Sequence, residues 1–124
     1  MVVTLTVTQI FRAGLRYGGF RWSGDYAQAS NQQRRRFQAN YGIPPHACLA
    51  VYHDLQTEDL GEAAIPKLTL KYFFLSLAWL KRYPTEHILA GNFSISEDTV
   101  ERNIWIYCRA FQALKRKKVS SQKN

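Results

Sequence analysis

Between Lys67 and Tyr83, apolar side chains recur on two faces of one predicted helix. Leu70, Phe73, Phe74, Leu77 and Leu80 make one face, and Tyr72, Leu75 and Trp79 make a second. A helix that is apolar on both sides needs neighbours on both sides. Each large side chain it buries stabilises the fold by roughly 1.5–3 kcal/mol, so this segment is expected to dominate the core. It does not read as a membrane span. Its apolar run, Tyr72 to Leu80, contains Ser76, is flanked by Lys71 and Lys81, and falls well short of the ~20 residues a bilayer requires.

The neighbours are legible on either side. Ser30 is placed to cap a helix running to about Asn40, with Phe37 and Tyr41 as its apolar anchors and Arg34, Arg35 and Arg36 on its polar side. Gly42 ends it. Pro44 and Pro45 suit the first turn of a following helix that reaches about Gln56 and turns Cys48, Val51, Tyr52 and Leu55 inward. Gln56 to Pro66 is polar and acidic, which makes it the natural hinge.

On the C-terminal side, Thr85 follows Pro84 and can cap a short helix from Glu86 to about Asn92. Phe93-Ser94-Ile95 then reads as a turn, with Ile95 directed inward. Ser96 caps a second helix whose first turn holds Glu97 and Asp98, where the dipole favours negative charge. Ser94 and Glu97 also have capping-box spacing. Val100, Ile104, Tyr107, Cys108, Phe111 and Leu114 share one face of the second helix. This is the pattern of a helix-turn-helix, whose second helix commonly enters the DNA major groove. Opposite the apolar face lie Asp98, Arg102, Trp105, Arg109, Gln112 and Arg116. Arginines and a tryptophan on an outward stripe suit phosphates and base edges. Glu97, Asp98 and Glu101 oppose that role at the leading end.

The N-terminal part is less regular. Val3, Leu5 and Val7 alternate with threonines, a period-two pattern that predicts a short strand. Ile10 to Tyr17 predicts a short helix. Gly18-Gly19 and Ser23-Gly24 make Phe20 to Asp25 a loop, with Trp22 as a core plug. The expected fold is therefore mainly α, a multi-helix domain with a C-terminal helix-turn-helix and a short N-terminal strand. Residues 1–29 read as a basic N-terminal arm, and 30–124 as a helical domain containing the helix-turn-helix at 85–118. Val119 to Asn124 reads as a frayed tail.

Charge sets the class of partner. The 124 residues carry a formal net charge of +8, which points to a polyanion, nucleic acid before membrane. Residues 1–53 hold six arginines against Asp25 alone, and the segment from Arg102 onward contains no acid. Lys115, Arg116, Lys117 and Lys118 close the last helix, where cations complement the dipole. The first 24 residues lack acids and carry Arg12, Arg16 and Arg21, as an organellar transit peptide or a basic DNA-binding arm would.

Catalytic patterns are weak. Two-metal phosphodiester chemistry needs converging carboxylates, whereas the nine acids here fall in a connection, at helix starts or singly. His46, Cys48 and His53 lie close in sequence without the spacing of a zinc site. Cys48 and Cys108 occupy apolar positions, where buried, unreactive thiols are expected. No enzymatic activity, cofactor or metal is expected.

Three stretches carry a family resemblance: Phe37 to Cys48, Lys71 to Glu86, and the helix-turn-helix itself. Leu-Lys-Arg-Tyr-Pro-Thr-Glu-x-x-x-Ala-Gly-x-Phe, Leu80 to Phe93, is the most specific. From about Arg36 to Val119 the chain resembles the region that precedes the nuclease domain in DDE-superfamily transposases of the Harbinger and bacterial insertion-element kind. The resemblance implies DNA binding through a second helix beginning at Ser96, with chemistry left to a following carboxylate-bearing domain, near whose start this chain stops. Ser94 departs from the glycine common at that turn. The residues expected to contact duplex DNA are Arg102, Trp105, Arg109, Lys115, Arg116, Lys117 and Lys118, with Arg34, Arg35 and Arg36 as further contacts. A nuclear location, or the cytoplasm of a bacterium, follows from that role. The rival expectations are a repurposed subunit docked on a large protein or RNA–protein assembly, in an organelle among other places, and a homodimer paired through Val3–Val7.

Overall fold

A computed structural model describes residues 4–122, with side chains through Ser120. Six α-helices follow in order: α1 (Val7–Tyr17), α2 (Asn31–Tyr41), α3 (Pro45–Thr57), α4 (Leu70–Arg82), α5 (Glu86–Phe93) and α6 (Glu97–Gln122). Single 3-10 turns lie at Tyr26–Gln28 and Gly61–Ala63, and there is no strand among the described residues.

The central helix is α4. It packs most extensively on α2 and α6, and also touches α1 and α5. Phe73, Phe74 and Leu75 are fully buried, which is what an apolar surface on both sides dictates. The ring of Phe74 meets Phe37 and Tyr41 of α2, and that of Phe73 meets Tyr52 of α3 and Phe111 of α6. Leu80, expected on the inward face, lies in the last turn of α4 and is 40% exposed. Lys67 and Leu68 precede the helix. Thr69 caps it, its hydroxyl accepting the Tyr72 N–H. Ser76 is buried in α4 with its hydroxyl unpartnered.

Capping chemistry decides the N-terminal region. Thr6 Oγ1 accepts the Gln9 N–H at 3.1 Å, and Gln9 Oε1 accepts the Thr6 N–H at 2.8 Å. That capping box starts a helix where the alternating pattern predicted a strand. Leu5 and Val7 therefore belong to no strand; Val3 lies outside the described residues. Helix α1 contributes Ile10, Phe11 and Leu15 to the shared core, all fully buried. It crosses α2 closely at Gly14, where a Cβ would fall 2.2 Å from Phe37 Cε2. Trp22 plugs this corner as expected, packed edge-on against Phe11 at 5.2 Å. The same capping box, built from Ser30 and Gln33, starts α2. Gly42, at φ 84°, ends it.

The C-terminal pair forms the predicted helix-turn-helix. Thr85 caps α5, and Ser96 Oγ accepts the Thr99 N–H at 3.2 Å to cap α6. Ser94 takes no part in a capping box with Glu97. It adopts φ 57° and closes α5 by donating its N–H to Ala90 O. Leu89 and Phe93 of α5 pack with Val100, Ile104 and Tyr107 of α6 in the core. Helix α6 continues to Gln122, so the segment from Val119 to Gln122 is helical rather than frayed; Lys123 and Asn124 lie outside the described residues.

Four helices terminate around one small polar cavity of about 150 Å³. Tyr17, Tyr41, Arg82 and Phe93, the last residues of α1, α2, α4 and α5, all line it, together with Arg16.

Candidate nucleic-acid interface

The outward stripe of α6 is present. Arg102, Gln112 and Arg116 are exposed, and Trp105 is 63% exposed. The Arg109 guanidinium sits 5.2 Å from the Trp105 ring centre and 3.8 Å from Glu62. A cation held over an indole face is oriented without being hidden from solvent. Beside the stripe, Trp79, Trp105 and the half-buried Cys108 line a groove of about 410 Å³ that also contains Glu86 and Glu101. Cys108 is thus less buried than its sequence position implied.

The basic end of α6 divides into two pairs. Lys115 and Arg116 are exposed, with no carboxylate partner among the described residues. Lys117 and Lys118 turn back onto the protein. Lys117 Nζ lies 3.2 Å from Glu58 Oε2 and donates to Asp59 O at 3.1 Å. Lys118 Nζ lies 3.4 Å from Asp54 Oδ2 and 3.5 Å from Glu58 Oε1. The Lys117 hydrogen bond, more than any other influence, holds the Glu58 carboxyl below the usual carboxylate range. Asp54 raises the Lys118 ammonium above its ordinary value. Together with Arg109–Glu62, these pairs fasten the acidic segment after α3 along α6, where sequence composition pointed to a hinge.

The arginine triplet on α2 is also divided. Arg34 lies 4.4 Å over the Tyr26 ring and donates to Tyr26 O at 2.9 Å. Arg36 lies 4.5 Å over Phe20. Arg35 is exposed, with no partner among the described residues. Two of the three thus brace the loop between α1 and α2.

Further positive surface on α1 and its loop carries Arg12, Arg16 and Arg21. Sequence reading noted their charge without seeing that they share one concavity. The signal that would have found them is helical spacing, since Arg12 and Arg16 are four residues apart on an otherwise apolar helix.

The nucleophile and metal candidates lie elsewhere. Cys48 is fully buried, and burial pushes its thiol up to about 12. It is therefore protonated and inert at neutral pH. His46 packs edge-on against Tyr26. Among the described residues, no three histidine, cysteine or carboxylate side chains gather as a metal site, and no helix is long and apolar enough to cross a membrane. Comparison with family models, curated proteins and solved structures finds no match.

Proposed function

We propose that the protein is a non-catalytic duplex-DNA-binding module that presents α6 to DNA, in the manner of the transposase region it resembles. One observation carries this reading. Trp105, flanked on its helix face by Arg102 and Arg109, stands open to solvent on the second helix of a helix-turn-helix. Such a large exposed aromatic, between the exposed Arg102 and an Arg109 held over its ring, fits contact with a polyanion better than a purely structural role. Lys115 and Arg116 extend the same surface toward phosphates.

Fluorescence anisotropy with a labelled duplex, titrated across a salt series, tests the proposal. If about six phosphates are neutralised, log K falls against log salt with a slope near −5. Arg102→Ala weakens binding by ~1–3 kcal/mol if Arg102 reads a base. No salt-dependent binding to any duplex pool would end the reading.

A second reading has its own support. Glu86 and Glu101 line the groove beside Trp105, and Glu97 and Asp98 are exposed nearby. An aromatic groove edged with carboxylates suits a protein surface in a larger assembly. Competition between duplex DNA and RNA, followed by co-sedimentation with ribonucleoprotein, separates the two readings.

A further inference from the structure

An open groove of about 900 Å³ lies between the outer face of α1 and the loop that follows it. Arg12, Arg16 and Arg21 line it and, among the described residues, no carboxylate does; Leu5, Ala13, Trp22 and Leu70 supply its apolar surface.

The loop wall is fixed rather than loose. Trp22 and Tyr26 pack edge-on against Phe11 at 5.2 and 4.9 Å. Thr8 Oγ1 accepts the Tyr26 N–H at 3.1 Å, and Arg12 Nε donates to Gly24 O at 2.9 Å. Asp25 lies 3.7 Å from Arg12. Arg16 and Arg21 are exposed, with no carboxylate partner among the described residues, and Arg16 lies 5.2 Å over the Tyr17 ring. The groove therefore holds one guanidinium fixed in place, that of Arg12, beside two exposed ones, Arg16 and Arg21, and guanidinium matches phosphate in geometry as well as charge. The large exposed apolar side chains, Tyr83, Ile88 and Trp105 among them, lie away from this groove, and its own aromatic, Trp22, is half-buried against Phe11.

We propose that this groove holds the phosphodiester backbone of duplex DNA, as a contact surface separate from α6. The inference rests on the reading that the chain binds DNA, and it assigns to α1 and its loop part of the affinity.

The test compares Arg16→Gln/Arg21→Gln with Arg102→Gln/Arg116→Gln, using the full chain and a labelled 20-bp duplex between 50 and 200 mM salt. Loss of two phosphate contacts makes the slope of log K against log salt shallower by about 2. The expected result is that shallowing in the α1 variant, with the lysine pair Arg16→Lys/Arg21→Lys restoring most of it. Arg16 also faces the cavity where helices end, so a thermal melt accompanies each variant. Arg21→Glu, which touches no core residue, provides a second probe and is expected to weaken binding at least tenfold. An unchanged slope in Arg16→Gln/Arg21→Gln, with a shallower slope in Arg102→Gln/Arg116→Gln, overturns this inference and leaves α6 as the DNA surface. Absence of duplex binding by the wild-type chain overturns both. Arginine-dependent binding to phosphatidylserine vesicles or to RNA alone, with none to the duplex, also overturns it.

Discussion

Tyr107 and Thr69 are joined across 38 positions of sequence: the Tyr107 hydroxyl accepts the Thr69 N–H at 2.9 Å and lies 3.3 Å from the Thr69 carbonyl oxygen. Thr69 is the cap of α4, and Tyr107 is fully buried in the middle of α6. One phenol therefore fixes where the central helix begins relative to the proposed DNA-contacting helix. Burial raises the Tyr107 pKa, while the Thr69 contacts act in the opposite direction. Tyr107→Phe keeps the ring and leaves a partly buried N–H unsatisfied. The expected cost is about 1–2 kcal/mol in a urea unfolding curve, with little change in helix content by circular dichroism.

The turn of the helix-turn-helix contains a residue in a conformation that disfavours it. Ser94 sits at φ 57°, where a Cβ meets the backbone and glycine does not. Ser94→Gly should stabilise by ~1 kcal/mol, raising the melting temperature by about 3–5 °C. Ser94→Val should lower it.

Alkaline pH acts through Cys48. In the unfolded chain its thiol ionises in the usual range, about 8.5; in the fold burial raises it to about 12. The folded pKa lies above the unfolded one, so the contribution is complete below about pH 8.5 and is lost as pH rises toward 12. Between those values unfolding releases close to one extra proton from this group, worth about 1.4 kcal/mol per pH unit. The alkaline limb of a stability–pH curve should flatten by that amount in Cys48→Ala.

The lysines at the end of α6 should separate in function. Lys115→Ala/Arg116→Ala should flatten the salt dependence of DNA binding, since both are exposed and unpaired. Lys117→Ala/Lys118→Ala should change it much less, because Glu58 and Asp54 already balance those charges. The second variant should instead speed amide exchange in the segment from Glu58 to Ala63, measured by mass spectrometry. Equal effects on the salt slope would show that the internal pairs open on binding.

Much of this architecture is written locally. Two-sided burial of α4 follows from its apolar spacing, and the ends of α2 and the start of α3 follow from Ser30, Gly42 and Pro45. The strand expected at Val3–Val7 shows where local reading misjudges competing signals. Thr6 and Gln9 are spaced as a capping box, and that pair outweighs the β-branched alternation. Leu80 differs from expectation because periodicity says which face a residue occupies, not how completely that point of the face is covered. The candidate interface was less legible. Lys117 and Lys118 find partners about sixty residues earlier, and Arg34 and Arg36 find theirs on the rings of Tyr26 and Phe20. Helical spacing shows which side a charge faces; only tertiary packing shows which carboxylate or ring waits there.

The cavity at which α1, α2, α4 and α5 all stop ties their lengths together. The last residue of each lines the same space of about 150 Å³, with Arg16 and Arg82 among the lining side chains. One residue inserted into any of the four would displace the residue that helix contributes to the shared lining. Extent in this protein is thus a property the four helices hold in common, and a lineage that lengthened one of them would have to rebuild the whole junction.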